Sequence, residues 1–282
     1  MENKKVWFVT GASKGLGLSL VKQLLASGQK VAATSRSISD MEAAVGQTST
    51  NFLPLSVDLT NEQSVGEAIQ KTQDTFGAID VVINNAGYGI GGSLEELSDE
   101  EVRKSFDVNV FATINVIRKV LPLMRSQRSG HIINISSIAG ITAGIGWAAY
   151  GATKYAIVGL SEVLAEDVRS FGIKVTVVAP GAFRTSFLSA ESLVLTKNPI
   201  AEYQEVRASH ERFLKMDGHQ AGDPEKAAAA MIQIAGEENP PLYLLLGSDA
   251  YERATGKLER MESEFQAWKE LTVSTGFEEA VK

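Results

Sequence analysis

Cysteine is absent from the 282 residues, which excludes disulfides, zinc–thiolate sites and a cysteine nucleophile. Histidine is scarce, and His131, His210 and His219 stand too far apart to spell a metal-binding motif. No metal is expected. Long apolar runs are also missing: none approaches the ~18 residues of a membrane span. The stretch 6–9 behind Lys4 and Lys5 is too short for a signal peptide and runs straight into a glycine motif. Positive charge is in deficit, with 27 Lys and Arg against 34 Asp and Glu, a net charge of −7 and a pI near 5.2. That balance argues against general nucleic-acid binding, so any phosphate site must be local. Together these absences predict a cytoplasmic, metal-free protein with no nucleic-acid partner and no membrane span.

What is present is an ordinary globular composition, 44% apolar and 22% charged, with no low-complexity tract or Pro/Ser-rich linker to mark a boundary. One large domain over 1–247 with an appended tail over 248–282 is the expected organisation. Short apolar runs at 5–10, 30–35, 52–57, 81–84, 131–136, 174–179 and 242–246 are continuous rather than alternating, as strands covered on both faces are. Helical patterns at 15–27, 61–75, 99–121, 148–170 and 223–235 separate them. The alternation predicts an α/β, Rossmann-like doubly wound parallel sheet of about seven strands with helices on both faces, plus a C-terminal helical extension.

Local signals refine this outline. Ser98 to Glu101 reads as a capping box, and Val102, Phe106, Val110, Ile114 and Ile117 build one apolar helix face that Pro122 should end. Residues 182–222 lack periodicity, and so long a stretch inside a compact domain suggests a substrate loop. In the tail, Tyr251, Ala254, Leu258, Met261, Phe265 and Trp268 alternate steps of three and four. They predict a helix over 251–271, docked on its own domain in preference to a subunit contact.

The run Thr10-Gly11-Ala12-Ser13-Lys14-Gly15-Leu16-Gly17 follows a strand and opens a helix. Glycines there allow a tight turn and close backbone approach, while the free amides of the helix start attract an anion. The spacing is GxxxGxG rather than GxGxxG. It also spells GxSxG, the nucleophile elbow of serine hydrolases, centred on Ser13. That alternative lacks parts: no segment precedes the first strand to supply an oxyanion loop, and His131 opens a strand. Dinucleotide choice follows from charge after the second strand. Arg36 can fork onto phosphate oxygens, Lys14 can add a point charge, and Ser35 or Ser37 can donate. The nearest acid, Asp40, lies four residues further on. NADP(H) is therefore predicted over NAD(H).

Tyr150 and Lys154 stand four apart on a predicted helix and so share a face. A free tyrosine titrates near a pKa of about 10, and an adjacent ammonium would favour its phenolate and make it a proton exchanger near neutrality. Tyr155, with Gly159 at the corresponding place, is expected to be a packing residue.

With these strings in view the chain resembles the short-chain dehydrogenase/reductase family, single-domain YxxxK type, over residues 4–186. The matching elements are Thr10 to Gly17, Asn84-Asn85-Ala86-Gly87, Asn109, Ser137, Tyr150, Lys154 and the run from Pro180-Gly181 to Thr185. The resemblance implies that Tyr150 is the general acid/base for hydride exchange with a nicotinamide. Ser137, thirteen residues before it, would hydrogen-bond the substrate oxygen. Lys154 would depress the tyrosine pKa and hold the nicotinamide ribose, and Asn109 would position a water relaying protons to Lys154. It further implies that Asp58, with Leu59, meets the adenine, that Asn85, with Ala86 and Gly87, lines the adenosine ribose pocket, and that Thr185 bonds the carboxamide. Tyr88, Ile141, Trp147, Phe183 and Phe187 form the candidate substrate set, which suggests a small hydrophobic ketone, aldehyde or secondary alcohol. Many relatives are dimers or tetramers, so a homo-oligomer is among the implied states. Two non-enzymatic alternatives are a dinucleotide-sensing regulator without turnover and an interaction protein that uses the tail.

Overall fold

The computed structural model describes residues 4–46, 49–142, 144–190 and 192–277. The last five residues of the expected tail, 278–282, lie outside the described residues. The first half of the chain runs β1 (Val6–Val9), α1 (Gly15–Ala26), β2 (Lys30–Ser35), α2 (Ile38–Val45), β3 (Phe52–Ser56), α3 (Glu62–Phe76) and β4 (Val81–Asn84). A short β5 (Gly89–Gly91) leads to α4 (Asp99–Phe106), a π-helical turn (Asp107–Phe111) and α5 (Ala112–Gln127). Then come β6 (Gly130–Ile135), α6 (Ala148–Val168), β7 (Ile173–Pro180), β8 (Leu193–Leu195) and α7 (Gln204–Leu214). The chain closes with α8 (Pro224–Gly236), β9 (Tyr243–Leu246), α9 (Ser248–Ala267) and α10 (Lys269–Val273).

Seven strands form one parallel sheet in the order β3-β2-β1-β4-β6-β7-β9, while β5 and β8 pair as a separate ribbon. The uninterrupted apolar strands have the expected cause. Trp7 and Val9 pack with Leu20, Leu24 and Met231 of α1 and α8, whereas Phe8 between them packs with Val65, Val116 and Leu164 of α3, α5 and α6. Successive residues are thus buried on opposite faces. Each fully buried side chain of this size contributes roughly 1.5–3 kcal/mol. The strand order reverses between β1 and β4, and their carboxyl ends open the crevice where open α/β sheets bind ligands.

Helix ends follow the sequence signals closely. Asn61 accepts from the amides of Gln63 and Ser64 to start α3, and the capping box of Ser98 and Glu101 is complete. Three expectations need correction. Pro122 does not end its helix: α5 continues to Gln127, because burial of Val120 and Met124 offsets the lost amide donor. The segment 182–222 is not structureless, since it holds β8 and α7, elements too short or too polar to show periodicity. The tail helix docks only at its root, through Ala250 and Ala254, while Tyr251, Leu258, Phe265 and Trp268 are exposed.

Candidate active site

The glycine turn between β1 and α1 is welded to the strand on its far side. Thr10 Oγ1 accepts from the amides of Asn85 and Ala86 at 2.9 and 3.1 Å, and Asn85 Nδ2 donates to the carbonyls of Thr10 and Gly11 at 3.0 Å each. Asn85 therefore spends both amide protons on the turn. A Cβ on Gly17 would lie 2.5 Å from the Gly11 carbonyl oxygen, and Gly11 itself has φ +64°, so both positions need glycine. The Lys14 side chain supplies no cap to α1, which leaves the first-turn amides directed at the crevice. Ser13 lies in the turn and Leu16 packs against the α1-side core.

Towards the edge of the sheet, Arg36 is exposed just beyond β2, and Ser56 Oγ holds its carbonyl at 3.1 Å. Ser37 is occupied as the cap of α2, accepting from the Asp40 amide. Asp58 Oδ1 accepts from the Thr60 amide and hydroxyl at 2.9 and 2.6 Å, and the Leu59 carbonyl accepts from Asn115. Thr34 Oγ1, near the carboxyl end of β2, is buried without a partner. The uncapped helix start, the glycine turn and the cationic Arg36 on the same end of the sheet fit a dinucleotide.

The reacting centre lies where β6 ends and α6 begins. Tyr150 and Lys154 are 8% and 5% exposed, with the ammonium 5.8 Å from the phenol ring centre. Lys154 Nζ donates to the Ile135 carbonyl at 3.0 Å, and Ser136 Oγ donates to the Lys154 carbonyl at 2.9 Å. Ser137 caps a single 3₁₀ turn, accepting from Ala139, and its hydroxyl also bonds Tyr150. Burial pushes the Tyr150 phenol up to about 12, with the Ser137 bond acting in the opposite direction. Burial pulls Lys154 down to about 8. In this geometry desolvation thus outweighs the pKa lowering expected from the lysine.

Asn109 sits in the π-helical turn, fully engaged. Its Oδ1 accepts from the Tyr88 amide at 2.9 Å, and its Nδ2 donates to the Tyr88 carbonyl at 2.9 Å and to Thr153 at 3.2 Å. A Cβ on Gly87 would stand 3.0 Å from that Oδ1 and 3.6 Å from Lys154 Nζ, which places the asparagine beside the lysine. One asparagine thereby ties the π-helical turn, α6 and the segment between β4 and β5 together at the crevice floor.

Of the substrate set, Tyr88, Trp147 and Phe187 gather around Tyr150 in one apolar cluster with Ile90, Leu188 and Leu193. Trp147 and Phe187 stand 6.4 and 6.0 Å from the Tyr150 ring. Ile141 and Phe183 lie elsewhere. Ile141 packs with Ala250 and Ala254, and Phe183 packs against the core beneath α8. Tyr155 is half-exposed rather than packed, and its hydroxyl donates to the Ile141 carbonyl. Thr185 caps the turn Ser186–Leu188, and its Cβ lies 3.7 Å from where Gly15 would carry one.

Two anchoring groups gave no signal in the sequence. Glu96, fully buried, accepts from the amides of Ser93 and Ile200 at 2.8 and 2.7 Å and from Arg207 at 2.5 and 2.7 Å. It fastens α7, whose His210 bonds the Gly146 carbonyl and stacks edge-on to Trp147. From the tail, Asp249 accepts from the Ala182 amide at 2.9 Å, and Arg253 donates to the Thr142 carbonyl at 2.6 Å. The tail root thus clamps both Pro180-Gly181 and the segment after Ser137. The hydrolase alternative finds no geometry, because Ser13 follows the carboxyl end of β1 whereas His131 opens β6 and bonds Thr176.

A family model described as short chain dehydrogenase matches residues 5–193. The chain is 36% identical over 273 residues to oxidoreductase BOA17 of Botryotinia fuckeliana, covering 96% of this chain and 99% of that one. It is also 36% identical to a 3-ketodihydrosphingosine reductase of Bacteroides thetaiotaomicron, over 86% and 88% of the two chains. A short-chain dehydrogenase structure from Streptomyces avermitilis superposes with a TM-score of 0.90 at 35% identity, covering 98% and 99%. The NADP-bound structure of ElxO superposes with a TM-score of 0.73 at 26% identity, covering 89% and 100%.

Proposed function

Because this chain belongs to the short-chain dehydrogenase family, we propose that it is an NADP(H)-dependent reductase of hydrophobic ketones or aldehydes, or the corresponding secondary-alcohol dehydrogenase. That it is an oxidoreductase using a nicotinamide dinucleotide is the coarser statement from which this reading starts. The observation that carries it is the convergence of Ser137, Tyr150 and Lys154 beside an apolar wall of Trp147, Phe187 and Tyr88.

The bound dinucleotide supplies or accepts the hydride; the chain supplies everything else. Tyr150, held neutral at physiological pH, keeps a proton to give to the carbonyl oxygen as the alcohol forms. Ser137 Oγ donates to the same oxygen and stabilises its developing charge. Lys154, cationic below about pH 8, contributes positive charge beneath the phenol and a donor for the nicotinamide ribose. Asn109 holds the Tyr88 backbone and shares the floor with Lys154, a position suited to a water relay. Arg36 and Lys14 favour a ribose 2′-phosphate, and no acid stands directly after β2 to prefer a free hydroxyl. The aromatic wall, together with the 3-ketodihydrosphingosine named for the Bacteroides relative, supports an apolar carbonyl substrate.

The test is oxidation of NADPH and NADH against a panel of apolar ketones and aldehydes. Turnover should favour NADPH, and Tyr150→Phe should lower kcat by about 10²–10⁴ while cofactor affinity holds. Arg36→Ala should erase the coenzyme preference. Equal KM values for the two coenzymes, unchanged in Arg36→Ala, would refute the NADP(H) assignment. Binding without turnover across the panel would point instead to a sensor.

A further inference from the structure

The segment 182–222 is folded around a side chain that does not belong to it. Glu96 lies between β5 and α4, and its side chain has no solvent access. From the far segment its carboxylate takes the Ile200 amide at 2.7 Å and the Arg207 guanidinium at 2.5 and 2.7 Å. Its carbonyl accepts from Thr196 Oγ1 at 2.9 Å, and the neighbouring Glu95 accepts from the Tyr203 hydroxyl at 2.8 Å. Residues 196–207 are thus fixed at intervals to one short loop. The reaction itself makes no use of this buried carboxylate.

What the loop fixes is the back of the aromatic wall. Arg207 and Phe213 stand three residues either side of His210 on α7, so both neighbour it on the helix. His210 and Phe213 lie 4.9 and 5.0 Å from the Trp147 ring, and Trp147 lies 6.4 Å from the Tyr150 ring. The packing behind Trp147 has no slack. A Cβ on Gly146 would stand 2.7 Å from His210 Nε2, and one on Gly91 would stand 3.0 Å from the same nitrogen. Besides Arg207, the side chains that bond α7 to the rest of the described residues are Ser209 and His210, on the carbonyls of Ile145 and Gly146. Both of those bonds are weaker in kind than the charge-assisted pair at Glu96. The Glu96–Arg207 pair is therefore the main polar latch on α7.

We infer that Glu96 is a positioning residue which, through Arg207 and α7, holds Trp147 against Tyr150 and so sets the upper size of the carbonyl compound that the crevice admits. The inference rests on the reductase reading above and narrows it: compact apolar ketones and aldehydes are the substrates of the latched enzyme, and bulky ones need α7 released. A bulky carbonyl binds only the fraction of molecules with α7 open, so its affinity scales with that fraction. A compact carbonyl needs no opening.

The experiment grades apolar ketones by size, from cyclohexanone to 2-decalone, with NADPH and NADH both supplied. Its readout is the ratio of kcat/KM for 2-decalone to that for cyclohexanone, which a loss of folded protein cannot move because it lowers both alike. Glu96→Gln should raise this ratio by about ten- to thirtyfold. Arg207→Met removes the same latch from its more exposed side; it should raise the ratio too, and it keeps the test available if the glutamine variant does not fold. The two changes together should do no more than the larger single, and neither should move the ratio in a Trp147→Ala background. A second arm needs no turnover. Acrylamide quenching of tryptophan fluorescence should increase in Glu96→Gln, and the increase should vanish when Trp147→Phe is added, because Trp7 is buried and Trp268 exposed with or without the latch. A wild type that reduces none of the ketones sinks the reductase reading, and the quenching arm then decides the latch by itself. An unchanged ratio in both latch variants, a ratio that still moves with Trp147 removed, or quenching indifferent to Glu96→Gln overturns the inference.

Discussion

Replacing Glu96 with glutamine removes one charge from a side chain with no solvent access and leaves its volume unchanged. Burial pushes this carboxyl up, but the amides of Ile200 and Ser93 and the Arg207 guanidinium outweigh it and hold it at about 2, against 4.5 in the free side chain. At about 1.36 kcal/mol per pH unit, the difference corresponds to roughly 3 kcal/mol favouring the ionised form. Arg207 is 31% exposed and keeps part of its hydration, which reduces the figure to about 2 kcal/mol. The glutamine amide would also direct N–H bonds at Ser93, Ile200 or Arg207, all of which donate. The loss should appear locally, because the bonds of the Glu96 carboxylate among the described residues run to Ser93, Ile200 and Arg207. Hydrogen exchange in peptides covering 200–214 should accelerate by about 30-fold, since 1.4 kcal/mol is a factor of ten. Peptides from α1 should not change. In the wild type the same loosening should set in as pH falls from 4.5 towards 2, because a carboxylate with a depressed folded pKa stabilises only above its unfolded value. The glutamine variant should lack that acid transition. Unchanged exchange over 200–214 in Glu96→Gln would show that α7 is held by its apolar contacts alone.

The tail clamp makes a coupled expectation. A Cβ on Gly181 would stand 2.1 Å from Asp249 Oδ1, so Gly181→Ala must displace the carboxylate. Asp249→Ala strands the Ala182 amide at a cost of about 1 kcal/mol. Denaturant titration should find the double variant less destabilised than the sum of the singles, and strict additivity would reject the contact. The rate of carbonyl reduction should fall as pH rises through about 8, where Lys154 loses its proton, with Tyr150 still protonated. A flat profile to pH 10 would remove Lys154 from the reacting centre. Stability should behave in the opposite sense between pH 8 and 10.5, rising as the buried ammonium discharges, and Lys154→Met should abolish that rise.

The sheet was legible because its inner strands are buried on both faces, so that Val6–Val9 and Val81–Asn84 could be read as uninterrupted apolar runs. The centre was legible because its parts are local in sequence: Tyr150 and Lys154 share one helix and Ser137 precedes it. What escaped was held by long-range contacts. Glu96 meets Arg207 from 111 residues away, and Asp249 meets Ala182 from 67 away. Neither pair has a periodicity to reveal it. The course of α5 through Pro122 escaped for a related reason: the local rule for proline was overridden by a core formed from distant segments. Ile141 and Phe183 were grouped with the substrate wall on their apolar character alone, which does not tell a residue facing a crevice from one under a helix.

The clamp formed by Asp249 and Arg253 also has a meaning in time. A ribosome delivers Ser137, Tyr150, Lys154 and Gly181 well before it delivers the two residues that hold their loops. The 72 residues from Gly181 to Arg253 take roughly 4 to 14 s at 5–20 residues per second. Through that interval the nascent chain carries the full dehydrogenase signature with an unfastened centre. Premature termination between residues 193 and 249 would leave a fragment that matches the family along its whole signature and lacks the hands that close it.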